Sequence, residues 1–387
     1  MSNTIFRLKA IGAFAFALVL SGNLVLAQPK TCPDPRLMNT FRPTVQEINP
    51  VDLMIYGPVS SQSWCVLNPG LASRNHPPCA AHHVYLPNSG MPLREPLLVF
   101  LPGTSMVPDK LDLVLTMGAY AGYRTIGLSY DNRVAVESCD TSACGDDCHG
   151  EMREEAIIGH DTSNLLIVEK ADSILERLYT ILVGLYEEDI SDGTNDLGWD
   201  AYFVPLGGAP ELAFNNIVWR NVIVSGFSQG AGHAARIAKE VVVEGLIVLD
   251  GANDTCRNAA NEDQPADWVL NLSDASANRP RFGVRHAHGD VQPYVASDTW
   301  LALGLGISGM DDLDDGIMNL PPLSAAATAQ LAVASDPDCG QHKSMARDGC
   351  MPTSPVSRSA SRKPEKIHLY TEYLLRFCFA SGAIVNP

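Results

Sequence analysis

Beyond its first 27 residues the chain lacks any long hydrophobic run, so no later segment has the roughly 20 apolar residues needed to span a bilayer. Basic residues are scarce. Lys and Arg number 27 against 44 Asp and Glu, for a net charge of −17 at pH 7. A surface this acidic repels nucleic acid and anionic lipid, which leaves neutral or cationic partners. Internal repeats are absent, which argues against solenoids and propellers. Cys-x-x-Cys pairs, the spacing that marks structural zinc, are absent as well.

The opening apolar stretch reads as a leader rather than as fold. Arg7 and Lys9 precede the apolar residues 11–20, and the small-residue exit Val25-Leu26-Ala27 stands before Gln28. This pattern predicts a secretory signal peptide over 1–27, and hence an exported, soluble mature chain without a membrane anchor. Residues 28–387 are expected to form a single domain. Its first part, 28–80, is rich in Pro, Asn and Ser and reads as irregular. All ten cysteines lie beyond the leader. An even number in an exported chain predicts disulfide-stapled loops. Zinc held by Cys139, Cys144 and Cys148, beside Asp140, Asp146, Asp147 and His149, is the rival reading for one loop.

The order of elements predicts an α/β fold with a doubly wound, mainly parallel sheet. Leu97-Leu98-Val99-Phe100-Leu101 is a continuous apolar run of the kind buried on both faces. Further strands are expected at 124–130, 221–225, 246–249 and 282–284. Helices are expected around Leu111, Leu115 and Tyr120, over 229–241 and over 365–377. The clearest helical stripe runs through Ile167, Ala171, Ile174, Leu178, Ile181 and Leu185, with Asp161 or Ser163 as its cap. Residues 187–219 show no periodicity and read as an insertion near the mouth of the site.

One motif stands where a strand turns directly into a helix: Gly226-Phe227-Ser228-Gln229-Gly230. Such a turn lifts the serine hydroxyl above the sheet and sets backbone N–H groups beside it. Ser228 is therefore the candidate nucleophile. The candidate oxyanion donors are the N–H groups of Gln229 and of Thr104, the latter in the Pro102-Gly103-Thr104 loop after the earlier buried strand. In the chain order serine, acid, histidine, Asp290 is the favoured acid, in a Gly-containing turn after a strand. Asp250 and Asp254 are its alternates. Two histidines follow: His342 in a cysteine-held loop and His368 in the last helix. A base must project from a loop, so His342 is chosen.

These segments resemble the α/β-hydrolase superfamily from about Pro96 to the C terminus. The Gly-Phe-Ser-Gln-Gly turn looks like those of cutinases, acetylxylan esterases and acyl thioesterases. Leu101-Pro102-Gly103-Thr104, Gly127-Leu128-Ser129-Tyr130, Arg153-Glu154-Glu155 and Ser228-Gln229-Gly230-Ala231-Gly232-His233-Ala234 resemble a poorly characterised group of secreted serine hydrolase-like proteins. The serine, acid and histidine set implies ester hydrolysis through a covalent acyl-enzyme, on a small-molecule or polymer ester, and no cofactor or metal is expected. The resemblance also implies His342 as base. Pro102-Gly103 departs from the usual His-Gly at the oxyanion loop.

Other readings carry less. His286, His288 and Asp290 form a permissive metal set, explained more simply as neighbours of an acid. Asp311-Asp312-Leu313-Asp314-Asp315-Gly316 fails as a calcium loop because Leu313 stands at a ligand position. It reads as a solvated loop. The alternative function is a non-catalytic binding protein on the same fold.

Overall fold

A computed structural model of the chain describes residues 41–48, 77–89, 91, 93–139, 142–191, 193, 195–206, 214–286, 293–305, 311–312, 326–329, 342–348, 350 and 377–378. The leader, Asp290, His288 and His368 lie outside them. In chain order the strands are β1 (Thr44–Ile48), β2 (His82–Leu86), β3 (Leu97–Leu101), β4 (Arg124–Gly127), β5 (Val222–Phe227), β6 (Gly245–Leu249), β7 (Thr255–Arg257), β8 (Asp263–Pro265), β9 (Arg281–His286), β10 (Asp311–Asp312) and β11 (Ala326–Ala329). The α-helices are α1 (Asp112–Tyr120), α2 (Cys148–Ile158), α3 (Ile174–Ile190), α4 (Gln229–Glu240), α5 (Asp267–Asn271) and α6 (Pro293–Ala302).

Nine strands form one sheet in the order β1-β2-β4-β3-β5-β6-β9-β11-β10. The seven from β4 to β10 run parallel, and β1 and β2 extend one edge antiparallel. Strands β3 and β6 are apolar throughout, and β5 is apolar but for Ser225, because both faces are covered. Leu97, Val99, Leu101, Val222 and Val224 share a core with α3 and α4. The alternate residues Leu98, Phe100, Ile223 and Phe227 share another with α1. From β3 the chain crosses to β4 on one side, then to β5 on the other. Strand order therefore reverses between β3 and β5, whose carboxyl ends flank the crevice where open α/β sheets bind ligands.

Four expectations change. A strand, β1, stands inside the segment read as irregular. Asp311 and Asp312 pair in parallel with Ala327 and Thr328 instead of forming a solvated loop. The long helix begins at Ile174, capped by Ser173 Oγ, which accepts from the Glu176 N–H at 3.2 Å. The preceding residues loop around Glu155, whose carboxylate accepts from the N–H groups of Ser163 and Val168 and leaves Ile167 exposed. Lastly, Trp199 and Tyr202 of the aperiodic segment are buried against Arg124, at the amino end of β4, with the Tyr202 hydroxyl donating to Arg94's neighbour Glu95 through its carbonyl. That part packs at the amino ends of the strands, the end of the sheet opposite Ser228.

Candidate active site

At the carboxyl end of β5 the chain passes through Ser228 straight into α4. Ser228 takes φ 53° and ψ −123°, a conformation that costs a residue with a side chain about 1–3 kcal/mol. The glycines around it allow the close approach. A Cβ on Gly230 would stand 2.0 Å from the Leu101 carbonyl oxygen, and one on Gly226 would stand 2.4 Å from the Gly230 carbonyl oxygen. The Ser228 N–H donates to the Leu249 carbonyl at 3.0 Å, which ties the turn to β6.

His342 meets this serine. Its Nε2 lies 2.8 Å from Ser228 Oγ, and its Nδ1 lies 2.6 Å from Asp250 Oδ2. The ring stacks on Phe227 at 4.6 Å between centroids and 30° between planes. A carboxylate on Nδ1 holds the imidazole proton there, which leaves the Nε2 lone pair to accept from the serine hydroxyl. His342 keeps 27% of its side chain exposed, against 7% for Asp250, so the imidazole faces solvent and the carboxylate behind it is shielded.

Of the candidate acids, the alternate Asp250, which directly follows β6, is the described carboxylate on His342; the favoured Asp290 lies outside the described residues. The other alternate, Asp254, is used elsewhere: Arg153 of α2 grips it through both Nε and Nη2, and Trp268 Nε1 donates to it at 2.8 Å. Burial alone would raise the Asp254 carboxyl, but the Arg153 guanidinium overrides that and holds it well below the usual carboxylate range. Arg153 Nη1 also donates to the Gln229 carbonyl at 3.0 Å, and the guanidinium occupies the space a Cβ on Gly232 would need. One buried cation thus joins the first turn of α4 to the loop that carries Asp250. Sequence reasoning gave Arg153 no such role; a charged residue so close to the apolar Ala156 and Ile157 was the available signal.

Thr104 lies beside the turn, as its place after β3 implies. The contact runs through side chains as well: Thr104 Oγ1 donates to Gln229 Oε1 at 2.6 Å, and Gln229 Nε2 donates to the Val134 carbonyl at 3.1 Å. Asn132 Nδ2 donates to the Gly103 carbonyl and the Tyr130 hydroxyl to the Pro102 carbonyl, each at 2.7 Å. Gln229 is the first residue of α4, so its N–H has no intrahelical acceptor and points where the helix dipole favours negative charge.

The zinc reading of the cysteine loop gives way to disulfides. Cys139 joins Cys148, and Cys144 joins Cys256; Cys79 and Cys350 are disulfide-bonded too. Among the described residues no group of His, Cys, Asp and Glu has the makings of a metal site, and no helix is long and apolar enough to cross a membrane. A comparison with protein-family models gave no match, and no curated protein is significantly similar to the chain.

Proposed function

We propose that this chain is a secreted serine hydrolase of the α/β-hydrolase type, cleaving carboxylic esters through Ser228, His342 and Asp250. The observation that carries the reading is the continuous hydrogen-bonded series from Ser228 Oγ through the imidazole to the Asp250 carboxylate, on a serine held at positive φ at the switch point of a mostly parallel sheet. In this reading Ser228 Oγ attacks the ester carbonyl carbon while His342 Nε2 takes its proton. The carbonyl oxygen becomes an oxyanion facing the N–H groups of Gln229 and Thr104. Collapse expels the alcohol, which takes the proton from His342 and leaves an acyl-serine. Water, deprotonated by the same imidazole, then releases the acid. The disulfides fit the oxidising compartment that export would supply.

A fluorophosphonate probe tests the proposal. Wild type is expected to be labelled at Ser228, and Ser228→Ala and His342→Ala to be unlabelled and inactive on p-nitrophenyl esters, with His368→Ala active. Folded wild type that resists the probe and turns over no ester would instead support a binding protein.

A further inference from the structure

We infer that Asp348 is the positioning residue of the proposed catalytic base, fastening the segment that carries His342 to the helix that follows the oxyanion loop. The inference rests on the hydrolase reading above.

Helix α1 begins without a cap of its own. Its N-cap is Leu111, an apolar residue at φ −128° and ψ 19° that makes no side-chain cap bond. The first N–H groups of a helix need acceptors, and here a remote residue supplies them. The Asp112 N–H donates to Asp348 Oδ2 at 2.8 Å and the Leu113 N–H to Asp348 Oδ1 at 2.9 Å, across 236 and 235 positions of sequence. The Asp348 N–H returns a bond to the Lys110 carbonyl at 2.9 Å. Both carboxylate oxygens are thus committed to one helix end, where the dipole favours a negative charge.

The link from that anchor to His342 is short and compact. Lys343–Met345 form a single 3-10 turn, closed by the Met345 N–H on the His342 carbonyl and the Arg347 N–H on the Lys343 carbonyl. Met345 and Ala346 are fully buried in the core of α1. A shift of Asp348 therefore carries His342 with it. In the other direction, the chain before α1 runs back through Pro108–Lys110 to Thr104. One carboxylate thereby sets the base relative to the oxyanion loop, although it touches neither substrate nor imidazole. Side-chain placement matters at this scale, because an ångström of displacement costs on the order of 100-fold in rate.

The test uses the full chain and three readouts: thermal unfolding, the rate of Ser228 labelling by a fluorophosphonate, and the downfield proton resonance of the His342–Asp250 hydrogen bond. Folded Asp348→Ala is expected to lose that resonance and to label on the order of 10- to 100-fold more slowly. On a p-nitrophenyl ester its kcat should fall with KM unchanged. Asp348→Asn, which keeps one acceptor oxygen, should lie between Asp348→Ala and wild type and serves if Asp348→Ala does not fold. A folded variant with wild-type labelling and a wild-type resonance, however much its melting temperature drops, overturns the inference. Failure of wild type to label strikes the hydrolase reading instead; the resonance still reports whether Asp348 holds His342.

Discussion

Six non-glycine residues have positive φ among the described residues. Two of them, Ser228 and Asp250, belong to the proposed triad, at φ 53° and 41°; Ser105 and Ala252, at φ 55° and 57°, stand within two residues of Gly103 and Asp250 respectively. Each such residue costs of order 1–3 kcal/mol and persists only where its surroundings over-determine it. The Ser105 N–H is held by the Asn132 carbonyl at 3.0 Å, the Asp250 N–H by the Val284 carbonyl at 2.7 Å, and the Gly251 carbonyl by Trp300 Nε1 at 2.9 Å. This strained turn aims Asp250 at the imidazole. Asp250→Asn is expected to lower kcat by about 10⁴, because an amide no longer enforces the productive tautomer. Asp290→Ala should change kcat less than a few-fold, and steady-state ester hydrolysis compares the two. Sequence alone could not separate them. Both aspartates follow an apolar strand in a turn that contains glycine, and nothing local announces that Asp250 adopts a backbone region non-glycine residues rarely enter.

At the scale of elements, legibility followed burial. Strands β3 and β6, and β5 but for Ser225, are apolar on both faces, and α4 starts where a glycine-flanked serine ends β5, so local pattern located all four. Helix α2 was not legible because its buried residues include His149, Arg153 and Glu155. Their partners lie far along the chain: Asp254 is 101 positions from Arg153. The start of α3 was displaced for a similar reason, since Glu155 captures the N–H groups that an earlier start would have used. The Arg153–Asp254 pair makes a testable claim. Arg153→Met or Asp254→Asn leaves a buried charge uncompensated and should destabilise by about 3–5 kcal/mol in denaturant unfolding, whereas Arg153→Met with Asp254→Leu should recover much of that loss. Where Arg153→Met folds, Ser228 labelling should also slow, because the Gln229 carbonyl loses its guanidinium donor. Equal losses in single and double variants would show that the pair is not coupled.

Over the whole molecule, the pH dependence of stability is a sum of opposed groups. His82 and His233 are held neutral by burial, and by Arg177 and Arg153 respectively, so the stability they contribute is lost as pH falls below the usual histidine range. Asp254, held low, withdraws its contribution only in stronger acid. Glu176 works the other way. It is buried, both carboxylate oxygens lack a hydrogen-bond partner among the described residues, and burial pushes it up to about 7 despite Lys170. Burial likewise pushes Asp348 up to about 6. A carboxyl raised in the folded state binds its proton more tightly there than in the unfolded chain, so its contribution is full below the unfolded value of 4.5 for Glu176 and fades as pH rises through 7. Repulsion within a chain of net charge −17 acts in the same direction. Salt separates the two causes, because it screens exposed charges and reaches buried ones far less. Glu176→Met keeps the volume and removes the ionisation. Against wild type it should gain about 2 kcal/mol at pH 8 and much less at pH 5, with the difference insensitive to added salt. Denaturant unfolding at both pH values measures it, and parallel curves for variant and wild type would remove Glu176 as the source of the slope.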